Sequence, residues 1–424
     1  MVLVAVSLVS LLAMAALAID IVTLYAARSE VQRAADAAAL AGAKAIADSG
    51  ITTLLLTDPN FLTVQPWAQN MANAQINAVM QNNPVAGAAP TLSSATFDWS
   101  RQGNPQVTVK LTSSNLPTFF SKIWGASAPT AAGTATAEAY NPANVQNFTP
   151  IAPKGVKPWL VANADPTSAI LPSPQFITPA TGAIEPGVIG KTFNLTADCN
   201  QHPHHSCVLT DPLPQAHNST TQVDYVPAKV QSPSNSNDVC PPSASCTEDF
   251  NYPDYQDSIQ CHDVNPYPCG GSTNNFTWDP TVNPRGKHGP SAYGAECLIH
   301  AASGQDLLQN PGPWPSAPYQ FKAQSGPQNG SVVTTSSSVV TIPIVDITNT
   351  TVFQAGPPYG VTVIGFMQAF INQVQDGTGG TTAGDINLTV LNVAGCSSSS
   401  TNSGVTPIVG GSGTSPVPVR LIGP

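Results

Sequence analysis

The sequence predicts an α+β protein: a long N-terminal transmembrane helix, a small antiparallel sheet, and then a disulfide-containing, β-rich region outside the membrane. Three observations lead there. Met1–Ile19 carries no charge and is dominated by Val, Leu and Ala. Eleven of the 22 residues from Ala26 to Ala47 are alanine. Seven of the eight cysteines crowd between Cys199 and Cys297, ahead of a last third marked by β-branched runs.

At the α-helical rise, the uncharged stretch Met1–Ile19 reaches roughly 28 Å, close to the ~30 Å hydrocarbon thickness of a bilayer. Alanine is the best helix former, and Glu30 lies one turn from Arg33. The pattern therefore predicts one helix over Val2–Ala47, roughly 70 Å long, whose far half stands clear of the bilayer. Two other readings compete. Ala16-Leu17-Ala18 has the form of a signal-peptide cleavage site, and a buried core helix would also be apolar. The run continuing through Ile21, Val22, Leu24 and Tyr25 favours a permanent single span. Asp20 is its one acid and sits at its edge, where a carboxylate is either functional or merely interfacial.

Arg28 and Arg33 follow the span and no Lys or Arg precedes it. Counted alone, that would hold the C-terminal side in the cytoplasm, but long domains translocate largely regardless of charge. The cysteines argue for an oxidising compartment, so the large C-terminal part is placed outside. The missing basic flank raises a start upstream of Met1.

Composition narrows the class. Charged residues are 9% of the chain, with 41 prolines, 32 glycines and a formal charge of −10. Soluble intracellular domains run near ~25% charged, so this is the composition of an exported, loop-rich surface protein. The acidic balance argues against nucleic acid as a partner, because no basic patch exists to release counterions from phosphates. Cys199, Cys207, Cys240, Cys246, Cys261, Cys269, Cys297 and Cys396 read as disulfide candidates in an exported chain. Eight cysteines allow 105 connectivities. The sequence-local pairs Cys199–Cys207, Cys240–Cys246 and Cys261–Cys269 are the expected ones, leaving Cys297 and Cys396.

Four regions follow in order: a membrane-anchoring helix over 1–50, an α+β module over 51–142, a Pro/Cys-rich region of loops and short strands over 143–330, and a β-rich region over 331–424. In the second, Trp67–Asn82 predicts a helix whose face is Ala68, Met71, Ala72, Gln75, Ile76, Val79 and Met80. Ala95–Ser100 and Gln106–Ser113 alternate as strands, with Val107, Val109 and Leu111 on one side. Thr130–Ala139 alternates small residues, as a strand packed closely on another element would. A long helix laid on such a sheet is a pilin-like arrangement. Tyr140–Pro158 reads as a linker. Ser338–Asp346, Val361–Ile371, Ile386–Val393 and Val417–Ile422 are the last strands. Val361–Ile371 is too short to cross a membrane. Ser397–Gly413 reads as a flexible excursion.

The stretch Ala16–Ala43 (ALAIDIVTLYAARSEVQRAADAAALAGA) resembles the N-terminal segment of TadG-like proteins of the Flp/Tad (tight-adherence) pilus-assembly family. The likeness is nearly residue for residue over Ser29–Ala43, including Gln32, Asp36 and Gly42. Asn115–Gly125 (NLPTFFSKIWG) and Ala132–Ala139 (AGTATAEA) resemble the end of the same module. Two features depart from the family: no basic leader precedes the span, and no D-x-S-x-S metal motif of a von Willebrand A domain occurs. The resemblance implies a single-pass, envelope-anchored protein with other pilus-assembly proteins as partners. It says little about the C-terminal two thirds.

The remaining motifs are thin. Cys199-x2-His202-x-His204-His205-x-Cys207, with Cys261-His262-Asp263, offers zinc-type ligands, but export favours oxidised cysteines in surface loops. Pro186–Thr192 ends like a phosphate-binding loop, yet Glu185 stands where its first glycine belongs. No G-x-S-x-G elbow or H-E-x-x-H occurs. Asp306 and Asp376 could take calcium but read better as turn caps. The N-x-S/T triplets at Asn147, Asn194, Asn218, Asn275, Asn329, Asn349 and Asn387 reflect the abundance of Asn and Thr. No catalytic, cofactor or metal residue is assigned. Ala35, Ala38 and Gly42 suit close approach to a partner helix or a second copy. The leading expectation is a non-enzymatic, envelope-anchored protein of pilus assembly and adherence. The alternatives are a secreted or anchored adhesin, and an extracytoplasmic metal-binding protein or metalloenzyme using His202, His204 and His205.

Overall fold

The computed structural model describes residues 2–118, 120, 128–143, 149–166, 174–197, 222–229, 246, 251–262, 265–269, 276–279, 281–284, 289–300, 304–310, 314–346, 360–375, 384–396, 407–410 and 415–423. Along the chain lie α1 (Val2–Asp48), α2 (Phe61–Gln81), β1 (Thr91–Asp98), β2 (Gln106–Ser113), β3 (Ala131–Ala139), β4 (Trp159–Ala162), β5 (Thr192–Ala197), β6 (Gln222–Pro227), α3 (Pro253–Gln260), α4 (Pro290–His300), β7 (Val339–Val345), β8 (Val363–Val374), β9 (Ile386–Gly395) and β10 (Val419–Gly423). Paired segments of two or three residues lie between them. The chain divides into two compact units. Unit 1 holds Met1–Ile46, Ala68–Ala139 and Val419–Pro424; unit 2 holds Ala47–Trp67 and Tyr140–Pro418.

In unit 1, α1 changes surroundings along its length. Leu3, Met14 and Val22 are 82%, 71% and 67% exposed, whereas Ala27 is 2% and Val31 0% exposed. A helix that shows Leu and Val all round suits hydrocarbon better than water. Among the described residues this one helix is long and apolar enough to cross a membrane. From Ala27 onward its small side chains turn inward: Ala34, Ala35, Ala38, Ala39 and Ala43 are buried. They face α2 and a four-stranded antiparallel sheet of order β1-β2-β3-β10. Val107, Val109 and Leu111 of β2 point into that core, while Lys110 is exposed.

Three expectations change here. Gly42 approaches its own chain: a Cβ there would lie 2.9 Å from Ile76 Cδ1 of α2 and 3.4 Å from Val107 Cγ1 of β2. The small face of Ala35, Ala38 and Gly42 is therefore consumed within unit 1 instead of being open to a partner helix. Helix α2 begins at Phe61, six residues earlier than Trp67, with Pro66 inside it. A proline in the second turn removes only one backbone bond near an end, where several groups are unpaired anyway. Strand β10 pairs with β3, Arg420 opposite Glu138, so the last residues belong with the N-terminal module.

Unit 2 is a closed six-stranded barrel of order β7-β8-β9-β5-β6-β4. The β5–β6 and β4–β7 pairs are parallel and the other four antiparallel. Three of these strands come from 143–330 and three from 331–424, so the expected boundary at 330 is absent. Short strands stapled by disulfides were expected before it; they close one barrel instead. The physical reason is burial on both faces. Strand β7 is buried at every position and β6 at five of six, so neither shows the alternation that marks a half-exposed strand. The core packs Trp159, Phe193, Tyr225, Ile342, Met367 and Leu388 with Ile259 of α3 and Ile299 of α4. Both helices start at a proline, Pro253 and Pro290, whose fixed φ suits the first helical turn.

Candidate functional site

The residues that carried the family resemblance form one continuous arrangement on α1. Gln32 reads the edge of the sheet. Its Nε2 donates to Thr134 O at 2.8 Å and its Oε1 accepts from Thr134 N at 3.3 Å. Strand β10 pairs with β3 only from Ala139 to Thr136. The Gln32 amide thus continues the ladder where the last strand has ended, standing in for a peptide unit. Its Nε2 also donates to Asp36 Oδ1 at 2.8 Å. Gly133 permits the approach: a Cβ there would meet Val31 O at 2.8 Å and Gln32 Cα at 3.0 Å. Glu30 Oε2 accepts the backbone N–H of Ala86 at 2.8 Å, holding the turn that leads to β1. Asp20 is buried, and its carboxylate accepts the Phe120 N–H at 3.2 Å. This acid at the edge of the span therefore has a definite structural task on the segment after β2.

The same helix carries a groove of about 450 Å³. Tyr25, Arg28, Ser29, Gln32, Arg33 and Asp36 line it with Ala132 of β3. These positions recur at helical spacing along one stripe. Tyr25 is 73% exposed, and Arg28 and Arg33 are exposed too. Neither guanidinium has a carboxylate partner among the described residues. Sequence reading used the two arginines only for orientation; the i, i+3, i+8 spacing of Tyr25, Arg28 and Arg33 was the signal for a shared face.

Unit 2 has a polar centre that no motif announced. Asn392 is fully buried on β9; its Nδ2 donates to Ala47 O at 2.6 Å and its Oδ1 accepts from Thr53 Oγ1. Asn141 Nδ2 donates to Val393 O at 2.8 Å and Thr52 O at 3.1 Å. Lys157, also buried, donates from Nζ to Ile259 O at 2.5 Å and Cys261 O at 2.8 Å, placing its charge at the C-terminal end of α3. Tyr225 donates to Ser291 Oγ at 2.8 Å, and Tyr255 lies 3.3 Å from the same atom. Burial pushes both phenols above the ordinary tyrosine range. Every one of these groups links segments of the fold to each other.

The cysteines pair differently from expectation. Cys246 joins Cys297 and Cys269 joins Cys396, across 51 and 127 residues. Cys240–Cys246 and Cys261–Cys269 are thereby excluded. Cys261 is disulfide-bonded as well. Cys199, Cys207 and Cys240 lie outside the described residues, as do His202, His204 and His205. Among the described residues no group of three or more His, Cys, Asp or Glu side chains could hold a metal. Lys191 of the phosphate-loop-like turn pairs with Asp165. Asp306 accepts Ser336 Oγ at 2.6 Å, and Asp376 lies outside the described residues. Asn194 and Asn387 bond to each other across β5 and β9 at 2.6 Å.

These features define a class: a helix long and apolar enough to cross a membrane that continues as the spine of an α+β module, followed by a disulfide-linked barrel. The family comparison is more particular. A model of the putative Flp pilus-assembly TadE/G-like family matches residues 1–45, the span together with Glu30, Gln32, Asp36 and Gly42. No curated protein and no solved structure matches the chain. The match sets the N-terminal segment in the context of Flp pilus assembly and a membrane.

Proposed function

We propose that the chain is a non-enzymatic, single-pass protein of the bacterial envelope that supports Flp/Tad pilus assembly, with unit 2 held outside the membrane. One observation carries the reading. The matched segment is a single helix whose first half is an apolar sleeve and whose second half is the buried spine of unit 1, so anchoring and folding are one element. The disulfides of unit 2 suit an oxidising compartment. Asn141, Lys157 and Asn392 of unit 2 donate to backbone carbonyls of other segments of the unit, which fits a scaffolding role. In this reading the pilin-like character lies in helix α1 lying along the sheet, and other pilus-assembly proteins are the partners.

The test is deletion of the gene, with pili and attached cells counted. Complementation by the full chain is compared with a variant in which Ala139 is joined to Val419 through Asn-Gly. Those two residues are paired neighbours on β3 and β10, so a two-residue hairpin loop spans them. Loss of pili on deletion, restored by the full chain alone, is the expected result. Normal pili with poor attachment would favour the adhesin reading instead.

A further inference from the structure

We propose that the α1 groove bounded by Tyr25, Arg28 and Arg33 binds the phosphate headgroup of an anionic phospholipid. The inference rests on the reading of α1 as a membrane span. The exposed apolar sleeve ends at Val22. At the helical rise, Tyr25 then lies about 5 Å and Arg28 about 9 Å beyond it, within or just above a headgroup layer some ~5–7 Å deep. Helical side chains lean toward the N-terminus, here toward the bilayer, so the Arg28 guanidinium reaches back to phosphate level. Tyr25 is the interfacial aromatic, its ring beside acyl chains and its hydroxyl among headgroups. Arg33, two turns above Tyr25, adds positive field within about one Debye length of that surface.

Charge and shape agree. Arg28 and Arg33 are exposed and lack carboxylate partners among the described residues, which leaves both charges available to a phosphate there. Among the described residues Asp36 is the only acid lining the groove, and it accepts from Gln32 at the end farthest from the sleeve. Guanidinium groups bind phosphate oxygens through paired N–H donors. A groove of about 450 Å³ admits a phosphate with its glycerol, not just a bare ion.

Native mass spectrometry of the full chain in mild detergent tests this, with phosphatidylglycerol titrated against phosphatidylcholine. Preferential retention of phosphatidylglycerol is expected. R28Q should reduce it about fivefold and R28Q/R33Q at least about tenfold, following the usual gain per basic residue near an anionic surface. K110Q, an exposed cation on β2, should leave it unchanged. Equal retention of both lipids, or full retention by the double variant, would overturn the proposal. Displacement by millimolar inorganic phosphate would reassign the groove to a free anion, and displacement by polyglutamate without lipid preference to an acidic protein segment. Detergent dependence reports the anchor separately. A chain soluble without detergent removes the span reading, whereas a detergent-dependent chain without lipid preference removes only the headgroup site.

Discussion

The two units solve the problem of a core with opposite materials. Unit 1 uses the smallest side chains: Ala34, Ala35 and Ala38 are buried, Gly42 admits the side chains of Ile76 and Val107, and Gly133 brings strand backbone against helix backbone. Unit 2 uses Trp, Phe, Tyr and Ile inside a barrel and closes long loops with disulfides. Close backbone packing is intolerant of added atoms, whereas a barrel of large side chains depends on buried polar links and cross-links to fix which strands meet. Perturbations should therefore separate the units cleanly.

The largest separation comes from the disulfides. Replacing Cys269 and Cys396 with serine opens a connection across 127 residues. Loop-closure entropy for such a length gives a loss of about 4–5 kcal/mol, confined to unit 2. Hydrogen exchange in rising denaturant, followed separately on the barrel strands of unit 2 and on β1–β3 of unit 1, checks it; a shared loss in both units would break the distinction. N392A comes next, at about 2 kcal/mol, because it removes the buried hydrogen bonds that the Asn392 side chain makes to the Ala47 carbonyl and the Thr53 hydroxyl. Thermal melts of unit 2 measure that loss.

In unit 1 the sensitive position is Gly133. G133A puts a methyl 2.8 Å from Val31 O and should cost about 2 kcal/mol by overpacking. Hydrogen exchange on β3 amides reads the effect locally, with the barrel strands unchanged. The smallest effect at neutral pH belongs to the buried phenols. Tyr225 and Tyr255 hold their protons more tightly folded than unfolded. Their contribution is fully present below about pH 10 and is lost as pH rises beyond it, because only the unfolded chain then releases the protons. Unit 2 should lose stability above pH 10 with a slope that Y225F reduces, read from alkaline denaturation curves.

How much was legible follows the same divide. Helix α1, β2 and β3 could be read because their patterns are local: an uncharged run, an alanine repeat, and Val107-Val109-Leu111 alternating with Thr108 and Lys110. The motif residues Gln32, Asp36 and Gly42 were visible as a resemblance, though their partners, Thr134 and Ile76, were not. The barrel was hidden because β4, β5 and β6 are four to six residues long and pair with strands up to about two hundred positions away. Fully buried short strands carry no period, and nothing local says that Cys269 meets Cys396 instead of Cys261. Helices α3 and α4 were missed although Pro253 and Pro290 marked their starts. Asn392 gave no signal at all; a lone asparagine in a strand becomes informative only when Thr53 and Ala47 arrive beside it.

Topology in intact spheroplasts tests the account most directly. R101C in unit 1 and Q328C in unit 2 each put a thiol at an exposed position. A membrane-impermeant maleimide should label both without lysis, as a single span with the sheet of unit 1 and the barrel of unit 2 both outside requires. Labelling of either site only after lysis would contradict the anchor-and-exposed-barrel arrangement.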